Sequence, residues 1–84
     1  MNEQLTVITV NYHSQALIDN LEKMLSTLPE VKFMVVDNSG DYTSNQKTTR
    51  ILAPGLNLGF GRACNLGAKH VETPLILFLN PDAN

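Results

Sequence analysis

Three stretches of this chain are apolar on both faces of an extended strand: Leu5 to Val10, Val31 to Val36, and Leu75 to Leu79. A strand of that kind needs cover on both sides, which is the pattern of a parallel sheet buried between helices and not of an open antiparallel sheet. The segments between the runs supply the helices. Ser14 is placed to cap a first helix, along which Leu17, Leu21, Met24, Leu25 and Leu28 recur at helical spacing as a core-packing stripe until Pro29 closes it. Asp37-Asn38-Ser39-Gly40 ends the second run in turn residues, and the polar stretch Asp41 to Thr49 is expected to be a loop. Arg50-Ile51-Leu52 fits a short third strand, broken by Pro54-Gly55. Asn57-Leu58-Gly59-Phe60-Gly61 leads into a second helix running to about Val71, and Thr73-Pro74 resets the chain before the last strand. The expected order is β-α-β-β-α-β, an α/β chain with a mostly parallel sheet and right-handed crossovers.

Chemistry concentrates where such a sheet binds ligands. Polar residues follow the C-terminal ends of three strands: Asn11 to Ser14, Asp37 to Ser39, and Asn80 to Asp82. Open α/β sheets place their sites beyond those ends. Asp37 suits a carboxylate that accepts hydrogen bonds from a nucleoside, or equally an Asx turn. Asp82, with Asn80 beside it, offers hard oxygen ligands to a cation such as Mg²⁺ or Mn²⁺, or forms a plain Asn-Pro turn. Gly59-Phe60-Gly61 is not a dinucleotide fingerprint, since Cys64 stands at the third glycine position and the motif does not follow the first strand. Its glycines are expected to allow a close backbone approach to a neighbour or a ligand. Arg62 and Asn65 lie one helical turn apart on one face, which suits either a diphosphate or, the default for an Arg, a solvated surface. His13, Cys64 and His70 have no metal-ligand spacing and are expected to be structural.

The bulk properties narrow the classes. The chain has 84 residues, room for one small domain, and 43% hydrophobic against 17% charged residues, a globular balance. A formal net charge of −2 leaves no basic footprint for nucleic acid. The N-terminus lacks the features of a signal peptide and the apolar runs are too short to span a bilayer, so the expectation is a cytoplasmic chain with no membrane segment. Cys64, the single cysteine, rules out an internal disulfide.

Three blocks, VITVNYHS, FMVVDNSGD, and NLGFGRACNLGAKH running on to PLILFLNPDAN, resemble in order and spacing the opening of family-2 glycosyltransferases with the GT-A fold, especially the rhamnosyltransferase-like branch. The resemblance covers essentially the whole chain. It implies a Rossmann-like sheet with flanking helices, the truncated N-terminal half of a GT-A fold that binds a UDP- or dTDP-linked sugar. The implied binding set is Asn11 and Tyr12 on the nucleotide pocket, Asp37 with Asn38 at the pyrimidine, Asn57, Gly59 and Asn65 beside the base and ribose, Arg62, and Asn80 with Asp82. Asn80-Pro81-Asp82 takes the place of the family's Asp-x-Asp motif, with Asp82 facing a weakly held Mg²⁺ or Mn²⁺. Asn80 stands where the family has its first acid, and Cys64 where many relatives carry Arg. The family's acceptor site and general base lie outside these residues, so no catalytic residue is assigned and the chain alone is expected to be inactive. The alternative is a non-catalytic α/β module. In either case the wholly apolar last strand leads us to expect a homodimer or higher self-association.

Overall fold

The apolar runs form the sheet they predict. A computed structural model describes residues 3–82. Its strands are β1 (Leu5–Asn11), β2 (Val31–Asp37), β3 (Arg50–Leu52) and β4 (Leu75–Leu79), and its helices α1 (Gln15–Leu25) and α2 (Gly59–Ala68). All strand pairings are parallel, in the order β3-β2-β1-β4. The register sets Leu5 against Val31 and Leu75, and Asn11 against Asp37 at the end of the β1–β2 ladder. The chain is therefore an α/β fold with a parallel sheet, in the expected element order.

The strand period of two divides the core into two layers. Val7, Phe33 and Val35 point to one face and pack with Ile18 and Leu25 of α1 and with Tyr42. Ile8, Val10, Met34 and Val36 point to the other and pack with Ala63 and Cys64 of α2. Full burial of each such Val, Ile or Phe stabilises the fold by about 1.5–3 kcal/mol. The helices lie on opposite faces because the strand order reverses: β2 and β3 step away from one side of β1, and the chain then crosses back to place β4 on its other side. Right-handed crossovers in opposite directions cover opposite faces. The reversal point lies between β1 and β4.

Several local expectations are corrected. The stripe expected on α1 is buried only in part, at Leu21 and Leu25. Leu17, Met24 and Leu28 are exposed, and the helix buries Ile18, Glu22 and Leu25 with Leu21 beside them. The true face is rotated because it includes a charged residue. The Glu22 carboxylate accepts hydrogen bonds from the hydroxyls of Ser44 and Thr49 and the Asn45 amide, and so pins the loop that leads to β3. Ser14 occupies the N-cap position but its hydroxyl does not cap; it donates to the Tyr12 carbonyl instead. The second helix stops at Ala68, earlier than Val71.

Two glycines have a definite structural cause. Gly59 begins α2 at φ +78°, a backbone conformation costly for any residue with a Cβ. Gly67 lies flat against the sheet, where an added Cβ would meet Ile8 at 3.0 Å and Val36 at 3.3 Å. A close approach to a neighbouring element is thus found at Gly67; at Gly59 and Gly61 no atom outside the adjoining stretch of chain lies within 4 Å of an added Cβ.

β4 is the least covered strand. Leu75, Ile76, Leu77 and Phe78 are 40–61% exposed, and Leu79 packs against the α1-side core. Its ties to β1 are the backbone ladder, a bond from the Thr9 hydroxyl to the Leu79 carbonyl, and a Thr6–Thr73 hydroxyl pair. No helix among the described residues is long and apolar enough to cross a membrane.

Candidate functional site

Because every strand runs the same way, the polar turns after β1, β2 and β4 converge on one edge of the sheet. There they border an open cleft of about 300 Å³, lined by Val10, Tyr12, Ser14, Leu17, Asn38, Asn57, Gly59, Phe60 and Asn80-Pro81-Asp82. This is the crevice that a strand-order reversal opens, between the loops that leave β1 and β4 in opposite directions. Another groove, of about 360 Å³, runs between the C-terminal end of α1 and the Glu22-anchored loop, away from the strand ends. It holds no cluster of expected site residues, so we place the candidate site at the switch-point cleft.

One wall of the cleft rests on a buried polar hub. Asn11, fully buried, uses Nδ2 toward Asp37 Oδ1 at 2.8 Å, Asp41 Oδ1 at 2.8 Å and Ser39 Oγ at 3.2 Å, while its Oδ1 accepts the Ser14 amide at 2.8 Å. An amide has two N–H groups, so the three acceptors share them, and the longer Ser39 contact is the weakest. Asp37 is 4% exposed, and its carboxylate also accepts the Gly40 and Tyr42 amides at 3.0 and 2.9 Å. Asn11 and Asp37 therefore stand behind the cleft. They fix the turn after β2 and the start of α1, and do not line the opening.

Next to this hub, His13 adopts φ +54° and its Nδ1 lies 2.7 Å from Asp41 Oδ2. Hydrogen bonds from Ser39 and then His13 hold the Asp41 carboxyl down at about 2 against an ordinary 3.8. Tyr42 closes the inner side of the loop. Burial, reinforced by the carboxylates of Glu22 and Asp19, pushes its phenol well above the usual range. Cys64, on α2, packs into the core between that helix and the sheet, where burial pushes its thiol up and leaves it a small apolar side chain. His70 is remote from both, against the Arg50 guanidinium at 3.2 Å.

The other expected site residues divide between the cleft and the surface. Tyr12 and Phe60, 55% and 48% exposed, are the aromatic residues among those that line the cleft. Asn57 Oδ1 accepts the Gly59 amide at 2.9 Å and so holds the entry to α2. Arg62 and Asn65 are exposed on α2 and are not among the residues that line the cleft. Phe60, Ser14, Leu17 and Val10 line the cleft without belonging to the binding set that the resemblance implies. Phe60 was legible as an aromatic within a glycine-rich helix entry, whereas Leu17 resembled a core leucine.

The metal-ligand set is thin. Asp82 is an exposed carboxylate in the lining, and Asn80 Oδ1 turns toward the Asp82 amide at a long 3.5 Å. Among the described residues no group of three or more His, Cys, Asp or Glu side chains could hold a metal ion. One carboxylate and one amide oxygen fit a hard cation only if its other ligands are phosphate oxygens and water. Compared with protein families, with curated proteins and with solved structures, the chain finds no match in any of the three.

Proposed function

We propose that this chain is the nucleotide-sugar-binding part of a glycosyltransferase of the GT-A type, and that the cleft between the ends of β1 and β4 takes a UDP- or dTDP-linked sugar. The observation that carries this reading is the position of the cleft, at the strand-order reversal of a parallel sheet and bordered by polar turns from three strands. The side chains suit the parts of such a ligand. Tyr12 and Phe60 offer apolar faces to a planar base. Asn38 and Asn57 supply polar groups on the same side. Asn80 and Asp82, across the opening on the loop after β4, suit the diphosphate with Mg²⁺ or Mn²⁺, which when bound would offset the charge of the departing phosphates. The chain is assigned binding; no residue of the cleft is assigned the deprotonation of an acceptor hydroxyl.

Titration with UDP and dTDP, followed by amide chemical shifts, tests this. The expected result is movement of the Tyr12, Asn38, Asn57, Gly59 and Asn80 resonances, with NAD and ATP much weaker. Saturating nucleotide that shifts none of them refutes the assignment. A second reading, a self-associating α/β module without chemistry, is favoured by the exposed apolar residues of β4.

A further inference from the structure

The two edges of the sheet are built differently. β3, at one edge, is a strand of only 3 residues and opens on the exposed Arg50. A short strand carrying a charge is one way an edge is kept from pairing with another chain. β4, at the other edge, has 5 residues, Leu75 to Leu79, and none is charged. Its inner side is zipped to β1, with the Leu75 amide donating to the Gln4 carbonyl at 3.2 Å. Main-chain groups alternate in direction along a strand. The N–H and C=O of Leu75, Leu77 and Leu79 therefore turn to β1, and those of Ile76 and Phe78 turn outward. Among the described residues no strand pairs with that outer side. The side chains are equally uncovered. Leu75 and Leu77 continue the α1 face, in register with Leu5 and Val7, while Ile76 and Phe78 continue the α2 face, in register with Thr6 and Ile8; all four are exposed.

We propose that the outer edge of β4 pairs with β4 of a second copy of this chain, antiparallel, about a two-fold axis through Leu77. This gives a mode to the self-association read above and rests on it; it does not depend on the nucleotide reading. The strand is self-complementary in that register. Ile76 faces the partner's Phe78, and the two exchange N–H and C=O, so that the outward main-chain groups of both copies are satisfied. Leu77 faces the partner's Leu77 and Leu75 faces the partner's Leu79, so apolar side chains meet on both faces of the joined sheet. Pro74, at the next outward position, has no N–H to donate and ends the ladder. The β3 edge offers no comparable surface, so like edges meet, the contact is isologous, and the pair is closed and does not grow. The apolar surface concerned is on the order of a few hundred Å² per copy, less than the about 800 Å² per partner of a standard interface. The pair is accordingly weak and forms at high concentration, with the main-chain ladder setting its geometry.

Hydrogen exchange on the unmodified chain tests this directly. In a lone chain the Ile76 and Phe78 amides face water. Between about 10 µM and about 1 mM their exchange should slow about four-fold, as follows from a dissociation constant on the order of 100 µM. Packing through a face of the sheet leaves those two amides in water. Cysteine trapping reads the register. Residues on the axis form the close, non-hydrogen-bonded pair, with Cα atoms about 4.5 Å apart and within disulfide reach, so Leu77→Cys should oxidise to a covalent dimer. Leu75→Cys, which faces the partner's Leu79, should not, and neither should the wild type, whose Cys64 is buried. Self-association without slowing at Ile76 and Phe78 overturns the edge pairing and leaves the self-association reading intact. A chain that stays monomeric throughout the series overturns both. A Leu75→Cys dimer in place of a Leu77→Cys one refutes the register, and masses that grow past the dimer in sedimentation refute the closed pair.

Discussion

Replacing Asn11 by Ala should show whether the buried hub, and not the cleft surface, sets the shape of the site. The side chain is fully buried and reaches Asp37, Asp41, Ser39 and the Ser14 amide. A hydrogen bond to a charged group contributes roughly 1.5–3 kcal/mol and a neutral one about 1. Asp37 keeps the Gly40 and Tyr42 amides after the change, and Asp41 is half exposed, so water replaces much of what it loses. The bond to Asp37 and that to Ser14 then dominate, for a net loss of about 2–4 kcal/mol. A domain of this length has a total stability of roughly 4–13 kcal/mol. Thermal unfolding followed by circular dichroism should therefore fall by about 10–25 °C at neutral pH. The isosteric Asn11→Asp adds a sharper signature. It brings a third carboxylate against Asp37 and Asp41 in a buried position, so its folded-state pKa is raised above the unfolded value. Stability from its protonated form is present at low pH and lost as pH rises through the raised value. Asn11→Asp should therefore become more stable between pH 7 and pH 4.5, as a proton restores the missing donor. An Asn11→Ala midpoint within about 3 °C of wild type, together with an Asn11→Asp variant insensitive to pH, would refute the hub as described.

Ile18→Ala should lose about 2–5 kcal/mol in urea unfolding while Leu17→Ala changes stability by less than about 0.5, because only the first is in the core; equal losses would contradict the rotated face of α1. The depressed Asp41 carboxyl contributes stability that is fully present above its unfolded value near 3.8 and is lost as pH falls through about 2, so Asp41→Asn should flatten the acid limb of urea midpoints between pH 4 and pH 2. Burying a few hundred Å² of the exposed β4 surface is worth several kcal/mol at about 25 cal/mol per Å², so light scattering should find the chain self-associated at high micromolar concentration and Phe78→Lys monomeric; a monodisperse wild-type monomer would show that β4 needs no cover. Broadening of the Asp82 resonances by Mn²⁺ should be stronger with UDP present than without it, and equal broadening would count against a shared metal-diphosphate site.

Strand periodicity made the sheet legible, because a run apolar on both faces admits few environments, and both β3 and β4 fall within the limits their sequences suggest. Alternation of strands and helices likewise placed the polar turns on one edge. The face of α1 was hidden because apolarity alone ranks Leu17 and Met24 above Glu22, and only the tertiary position of Ser44 and Thr49 makes Glu22 a buried residue. The division of labour between Asp37 and Asn38 was hidden for a related reason. Adjacent residues at a strand end point to opposite sides, and which of them opens onto a cleft depends on donors supplied by a loop several residues away. The roles of Gly59 and Gly67 could not be separated in the sequence either, since a positive φ and a close contact both select glycine.

The two walls of the cleft differ in how firmly they are held. Tyr12, Ser14 and Asn38 stand just past the ends of β1 and β2, which are joined by the Asn11 hub. Asn80 and Asp82 stand on the loop after β4, the strand with the least apolar cover. Any molecule that bridges the two walls must favour states in which β4 is docked on β1, so occupancy of the cleft and closure of the β1–β4 ladder are thermodynamically coupled. Ligand binding would then appear as slower hydrogen exchange along Leu75 to Leu79, at amides the ligand never touches. By the same linkage, anything that covers the outer edge of β4 would tighten the cleft from behind.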